Sequence, residues 1–440
     1  MRTLKTFHIS IPQDFKNKLM LWGNQFEEAI YLDSNQNRQE HQNFEALMAV
    51  EAFTAIKSDD NEAFLRLNEY QHTTQDWLFG YMSYDLKNDT EHLTSQNQDQ
   101  LNFPELYFIQ PKKIWILKGE TIEAHYLKLV DDEIEADLQS ILNFDSVEEK
   151  YLDPVVFTPR WNKVDYIEKA QSILKHIQRG DIYEVNFCQE FYAENSNIDP
   201  VKTFQSLNSI SKAPFSSYLK LENYYAMGAS PERFLMKKNQ QLISQPIKGT
   251  ARRGNTREED EELKAQLKID PKEISENVMI VDLVRNDLSK TAQKASVNVE
   301  ELCKVYSYEQ VHQMISTLSS QVKPEFSTAE ILKSLFPMGS MTGAPKLSAM
   351  EIAEHNESTK RGLYSGAIGY ITPKGDFDFN VVIRTLLYNS EKKYLSYMVG
   401  SAITSLANPE QEYEECLLKG KALQYAVNTS AVSEKKTNKA

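Results

Sequence analysis

Cysteine is scarce in this chain, and the little there is excludes two classes of protein. Cys188, Cys303 and Cys416 are odd in number and far apart, so they form neither a disulfide framework nor a metal-ligand spacing. No apolar run reaches eighteen residues, so no segment has the length and composition of a membrane-spanning helix. Met1 to Lys16 is interrupted by charges throughout and lacks the pattern of a signal segment. Positive charge is also short: the net charge is −14, which argues against nonspecific nucleic-acid binding. No internal repeat is visible. What is present is an ordinary soluble balance, 41% hydrophobic and 25% charged, over 440 residues. That length suits two lobes or one elaborated domain, and the compartment implied is a reducing cytoplasm.

Residues 1–145 read as a β-rich lobe with some helix. Phe44 to Lys57 has helical apolar spacing in Leu47, Val50, Phe53 and Ile56. Trp77 to Tyr84, Leu106 to Ile109, Ile114 to Leu117 and Thr121 to Leu129 read as short strands of an antiparallel meander. The Asn/Gln-rich stretches Asn35 to Asn43 and Thr94 to Gln100 read as loops. Asp145 to Trp161, acidic and then proline-bearing, is the candidate linker. A helix follows, capped by Asp165, striped by Ile167, Ala170, Leu174 and Ile177, and ended by Gly180. Next comes a strand in which Tyr183, Val185 and Phe187 alternate with Glu184, Asn186 and Cys188. Residues 428–440 are small, polar and lysine-rich, the composition of a disordered tail.

Two helices carry paired carboxylates. Pro271 to Leu283 begins with the proline that helices favour, with Ile274, Val278, Val281 and Leu288 as its expected buried stripe. Glu273 and Glu276 lie three apart on a neighbouring face, as do Glu412 and Glu415 in a second helix running through Leu417, Leu418 and Leu423. Two such pairs can converge on a hard divalent cation, and Mg²⁺ needs only one or two protein carboxylates because it keeps its waters. An isolated Glu-x-x-Glu is ordinarily a solvated helix face, so spacing alone leaves both readings open.

Lys248 sits in Gln245-Pro246-Ile247-Lys248-Gly249-Thr250, after a strand-like run from Gln241 to Ser244. Sixteen residues earlier stands Glu232 in Ser230-Pro231-Glu232-Arg233-Phe234. A lysine between an isoleucine and a glycine can be partly desolvated, which lowers an ammonium's pKa and frees a nucleophilic amine. A carboxyl group nearby is a natural proton donor to a leaving group. Taken alone, Lys248 reads first as a surface lysine after a strand.

These segments resemble the chorismate-utilising enzymes. The resemblance covers roughly residues 160–427, with a weaker stretch from Trp77 to Asp85. Its most specific run is Phe336-Pro337-Met338-Gly339-Ser340-Met341-Thr342-Gly343-Ala344-Pro345-Lys346. Arg361-Gly362-Leu363-Tyr364-Ser365-Gly366 and Asp378-Phe379-Asn380-Val381-Val382-Ile383-Arg384-Thr385 follow in the family's order. The resemblance implies an α+β fold in which antiparallel sheets pack face to face with helices outside. It implies magnesium bound directly by Glu276 and Glu415, with Glu273 and Glu412 acting through water. Chorismate carries two carboxylates. Arg384 would take the pyruvyl one as a planar fork, with Tyr364 adding a hydroxyl. The ring carboxylate would meet the magnesium and the amides of Gly249 and Thr250. His312 matches a residue lining the ring, and Thr342, Gly400, Ser401, Ala402 and Lys419 complete the expected substrate set.

Three departures stand out. Ala402 occupies the second glycine of a family Gly-x-Gly, Met338 replaces a common glycine, and Glu184 stands where aminating members often have glutamine. Water-using isochorismate and salicylate synthases place a lysine base at the position of Glu184, and a carboxylate there argues against that branch. Anthranilate synthases typically have alanine where Lys248 stands and aminate C2 directly. A lysine there matches the C4-aminating branch: its amine attacks C2 while Glu232 protonates the departing C4 hydroxyl, and ammonia then enters at C4. An unperturbed lysine is only about 0.1% neutral at pH 7.4, so this chemistry requires a depressed pKa. A non-catalytic chorismate-binding relative is the alternative from another class. No cysteine lies in a Gly-x-Cys-x-Gly setting, so ammonia is expected from a separate glutamine amidotransferase subunit. Pro214-Phe215-Ser216 resembles half of a tryptophan site found in some relatives, with no amino-terminal half identifiable.

Overall fold

The computed structural model describes residues 1–9, 11–37, 41, 43–91, 93–144 and 152–429, and twenty strands among them join in one hydrogen-bonded antiparallel network. The network divides at the paired strands Ala46–Ser58 and Leu106–Lys118. One branch passes through Glu28–Asp33, Phe215–Leu221, Tyr224–Ser230, Thr385–Asn389 and Tyr394–Thr404 to Glu184–Ala193. The other passes through Leu78–Met82, Ala367–Ile371, Phe377–Val381, Arg233–Lys238 and Gln241–Gln245 to Val311–Gln321 and its neighbour Ile247–Arg252. The branches face each other across an apolar core that takes Leu219, Leu387 and Met398 from the first and Leu235, Leu318 and Phe379 from the second. A second core, on the outer face of the first branch, receives the helices Phe15–Gly23, Ile134–Leu142, Lys163–Arg179, Pro200–Ser211 and Pro409–Thr429. This is the expected α+β arrangement of sheets packed face to face with helices outside. Strands from residues 1–145 pair directly with strands of residues 160–427, at Glu28–Asp33 with Phe215–Leu221 and at Leu78–Met82 with Ala367–Ile371.

Burial on both faces explains where periodicity misleads. Phe44 to Lys57 is a strand, Ala46–Ser58, and not a helix. Leu47 and Ala49 enter the first core while Ala46, Met48 and Val50 enter the second. A strand buried on both sides reads as a nearly unbroken apolar run, which carries no period-2 signal. The segments around Pro111 form one strand, Leu106–Lys118, rather than two. Pro111 is tolerated because it stands opposite Ala52, where the register slips between Ala52 and Thr54.

Helix details shift by small rotations. Asn162, not Asp165, caps Lys163–Arg179, accepting from the amides of Val164 and Asp165. The buried stripe there is Tyr166, Ala170, Ile173 and Ile177, so Ile167 and Leu174 sit at its margin. Gly180 ends the helix in the left-handed region, as expected. In Pro271–Ser289, capped by Asp270, Val278 is exposed and Ile274 only half-buried; the buried face holds Glu276, Asn277, Ile280, Val281, Val284 and Leu288. Of the expected tail, Asn428 and Thr429 belong to the helix Pro409–Thr429, where Asn428 exchanges hydrogen bonds with the Val155 backbone. The remainder, 430–440, lies outside the described residues, as do 145–151 of the expected linker.

Candidate active site

Pro246 creates the setting of Lys248. It ends the run that pairs Gln241–Gln245 with Arg233–Lys238, and the next strand, Ile247–Arg252, pairs only with Val311–Gln321. The open edge of that strand faces the end of the other branch. There Glu184, the first residue of Glu184–Ala193, receives the Lys248 ammonium at 2.5 Å from Oε1. Glu184 is 1% exposed, and its other oxygen, Oε2, is buried with no hydrogen-bond partner among the described residues. Burial pushes the Lys248 pKa down, but the charges of Glu184, Glu276 and Glu232 outweigh it and the net direction is upward. This reverses the expected depression: in this state the lysine is a paired ammonium.

Glu232 has the opposite environment. It is buried in the turn before Arg233–Lys238, and that burial raises its carboxyl to about 7 against the pull of the Ser340 hydroxyl, the Lys248 charge and the Ile247 backbone. A carboxyl group there holds a proton near neutrality and can donate it. The turn is fixed by a hydrogen bond from the Val381 amide to the Glu232 carbonyl, and by one from the Ala229 amide to the Arg384 carbonyl.

The four helix glutamates gather beside this pair. Glu276 and Glu412 are buried, whereas the Glu415 side chain keeps 45% exposure and pairs with Lys419 at 2.6 Å. Burial raises Glu276 to about 7 and raises Glu273 and Glu412, while Lys419 helps to hold Glu415 below its ordinary value against its own desolvation. Glu273 lies against Gly249, where an added Cβ would come within 3.1 Å of its Oε2. The Lys272 ammonium sits between the helices, 3.9 Å from Glu276 and 3.5 Å from Glu412. A cationic group thus already occupies the space between the two helices, and Glu276 Oε1 is left without a hydrogen bond. Among the described residues no three acidic, histidine or cysteine side chains close into a ligand cage. Two carboxylates with the rest of the shell left to water suit Mg²⁺ and would not suffice for a calcium cage.

The strand Glu184–Ala193 runs through the candidate pocket. Asn186 donates its amide to the Thr342 carbonyl and pairs with Ala402. Cys188 lies beside Gly400, where a Cβ would come within 2.7 Å of its sulfur, and it accepts from the Tyr364 hydroxyl. Gly400 and Ala402 share one face of Tyr394–Thr404, so the extra methyl of Ala402 projects on the pocket side; Ser401 points the other way, to the Tyr166 hydroxyl. Lys419 donates to the Gly400 carbonyl at 2.9 Å. Arg384 has a left-handed backbone at φ 50, its side chain is strongly desolvated, and its guanidinium has no hydrogen bond or ion pair among the described residues. A desolvated, unpaired guanidinium is a site for an anion. His312 is buried with Nδ1 on Ser307 and Nε2 on Asp260, so both ring nitrogens are already committed.

Several residues of this constellation have no role in the sequence reading. Glu184 appears there only as a departure, and Ser340, Lys272 and Asn277 not at all as site residues; Asn277 reaches the Lys248 carbonyl at 3.4 Å. Arg361 forks onto Glu357 and also donates to the carbonyls of Met341 and Asn186, fixing the backbone beside Thr342 and Ala402. Apart from the Arg361–Glu357 pair, such partners lie far apart in sequence and carry no local signal. Elsewhere, Pro214, Phe215 and Ser216 line a cavity together with Leu32, Asp33 and Ser34.

Comparisons with known proteins bear on all of this. The profile of the chorismate binding enzymes matches residues 27–425. A chloroplastic aminodeoxychorismate synthase of Arabidopsis thaliana is 42% identical over 274 residues, 62% of this chain, and the chain spans only 30% of that relative's length. Aminodeoxychorismate synthase component 1 of Bacillus subtilis is 30% identical over 372 residues, covering 81% of this chain and 78% of the relative. Proteins named anthranilate synthase component 1 match over similar lengths. Anthranilate synthase component I of Streptococcus pneumoniae superposes with a TM-score of 0.76 at 24% identity, over 88% of this chain and 95% of that structure, a likeness of fold.

Proposed function

This chain belongs to the chorismate-binding enzymes, and on that premise we propose that it is aminodeoxychorismate synthase component I. The observation that carries the reading is Lys248, a lysine whose side chain keeps only 11% exposure, at the position where C2-aminating relatives typically have alanine, with the proton-bearing Glu232 beside it. Chorismate binds with its pyruvyl carboxylate on Arg384 and Tyr364 and its ring carboxylate toward Gly249 and Thr250. Glu276 and Glu415 would hold Mg²⁺ directly and Glu273 and Glu412 through water; the ion, when bound, supplies positive charge that offsets the ring carboxylate and favours attack on the ring.

The Lys248 amine adds to C2, the ring double bonds shift, and the C4 hydroxyl leaves as water with the proton of Glu232. Ammonia then adds to C4, the double bonds shift back, and Lys248 departs, giving 4-amino-4-deoxychorismate with the enolpyruvyl group retained. Dividing one hard substitution between two easier ones is the gain of covalent catalysis. Ammonia comes from a separate glutamine amidotransferase subunit, and the product feeds 4-aminobenzoate and folate synthesis in the cytoplasm. No helix among the described residues is long and apolar enough to cross a membrane. The test is an incubation with chorismate, Mg²⁺ and ammonium, with products identified by mass and fluorescence. Anthranilate as product would assign the chain to the C2-aminating branch, and no turnover to a non-catalytic relative.

A further inference from the structure

Covalent attack by Lys248 needs a neutral amine, and the site holds an ammonium. Something must take its proton. Five carboxyl groups act on the Lys248 Nζ: Glu184 at the start of Glu184–Ala193, Glu232 in its turn, Glu273 and Glu276 on Pro271–Ser289, and Glu415 on Pro409–Thr429; Lys272 in turn faces Glu273, Glu276, Glu412 and Glu415. Glu232 is the proton donor to the leaving hydroxyl and cannot accept a proton in the same step. The helix glutamates are the candidate metal carboxylates. Glu184 alone contacts Nζ, and its Oε2 is a fully buried oxygen with nothing bonded to it among the described residues.

We propose that Glu184 is a catalytic residue, the base that takes the proton from Lys248 as its amine attacks C2 and returns it when the amine leaves. The inference rests on the covalent reading above. In the first half, one N–H proton moves from Lys248 to Glu184, the freed pair forms the Nζ–C2 bond, and the C4–O bond breaks with the Glu232 proton leaving in water. In the second half, ammonia forms the C4–N bond as the Nζ–C2 bond breaks and its electron pair returns to Lys248. Glu184 then restores the ammonium, and solvent reprotonates Glu232. No oxidant or reductant is involved.

The test mixes full-length protein with chorismate and Mg²⁺ without ammonia, and follows the mass of the Lys248 adduct against pH. Glu184→Gln still accepts a hydrogen bond from Nζ but cannot take its proton. The adduct should form on the order of 100-fold more slowly near neutrality and recover as pH rises, moving the acid limb upward. With ammonia present, kcat should fall far more than KM, and Glu184→Asp should restore part of it. A Glu184→Gln variant with the wild-type adduct rate and pH profile overturns the assignment to Glu184 alone. A wild-type protein that forms no adduct removes the covalent premise, and this proposal with it.

Discussion

Lys272 reaches from the Pro271–Ser289 helix to Glu412 of the Pro409–Thr429 helix, at 3.5 Å, while lying 3.9 Å from Glu276 on its own helix. The buried carboxylates around it need positive charge, which Lys272 and Lys248 supply in part. Replacing Glu276 or Glu415 with glutamine should therefore abolish magnesium-dependent turnover while leaving the fold intact, since an amide is a much weaker ligand for a hard cation. A magnesium titration with circular dichroism on the same samples checks this. Full wild-type activity in excess chelator would remove the metal from the scheme.

Arg384→Lys should impair chorismate use although the charge is kept. The guanidinium is desolvated and has no partner among the described residues, and a lysine cannot present two parallel donors to a carboxylate. The loss in kcat/KM should exceed about 2 kcal/mol, roughly 30-fold. An unchanged specificity constant would mean that another group holds the pyruvyl carboxylate.

The purified chain should use ammonium salts and ignore glutamine until an amidotransferase subunit is added. Product formation from glutamine by this chain alone contradicts the expectation.

Lys248→Ala should cut aminodeoxychorismate formation severely, and by vacating C2 it should admit slow anthranilate-like amination. Product analysis by mass distinguishes the two. Formation of aminodeoxychorismate at the wild-type rate would make Lys248 a bystander.

Glu232 gives a prediction with opposite signs for activity and stability. Its carboxyl is raised to about 7 in the fold from an ordinary value of 4.5, so the folded state binds the proton more tightly than the unfolded chain. Stability therefore falls as pH rises through the interval between those values, and the cost is fully present above about 7. Glu232→Gln removes that cost. It should abolish proton donation, yet gain stability over the wild type at pH 8, by about 1–3 kcal/mol, with little gain at pH 4. Denaturant titrations at the two pH values check it, and an equal effect at both would show that Glu232 is not held protonated by burial.

How much of this was legible in the sequence depended on how local the signal was. The Pro271–Ser289 helix announces itself by Pro271, and Gly180 marks a helix end. Lys248, Glu232 and the helix glutamates come from motifs and resemblance. The strand Ala46–Ser58 was hidden because two cores cover it, and the Leu106–Lys118 strand because a proline is normally a break. The Lys248–Glu184 pair spans 64 residues and joins strands that never hydrogen-bond to each other. Hydrophobic periodicity describes single elements, and it has nothing to say about which two strand ends meet.

That meeting has a bearing on how the protein acquires activity. Glu184 lies on one arm of the sheet network and Lys248 on the other, so the contact exists only once both arms have curled back over the shared core. Contacts between such remote elements are expected late in folding, after their loop-closure entropy has been met by burial elsewhere. On refolding, β-structure and core fluorescence should therefore return before catalysis does. A nick or circular permutation that slows closure of either arm should leave a protein folded by spectroscopy and inactive by assay.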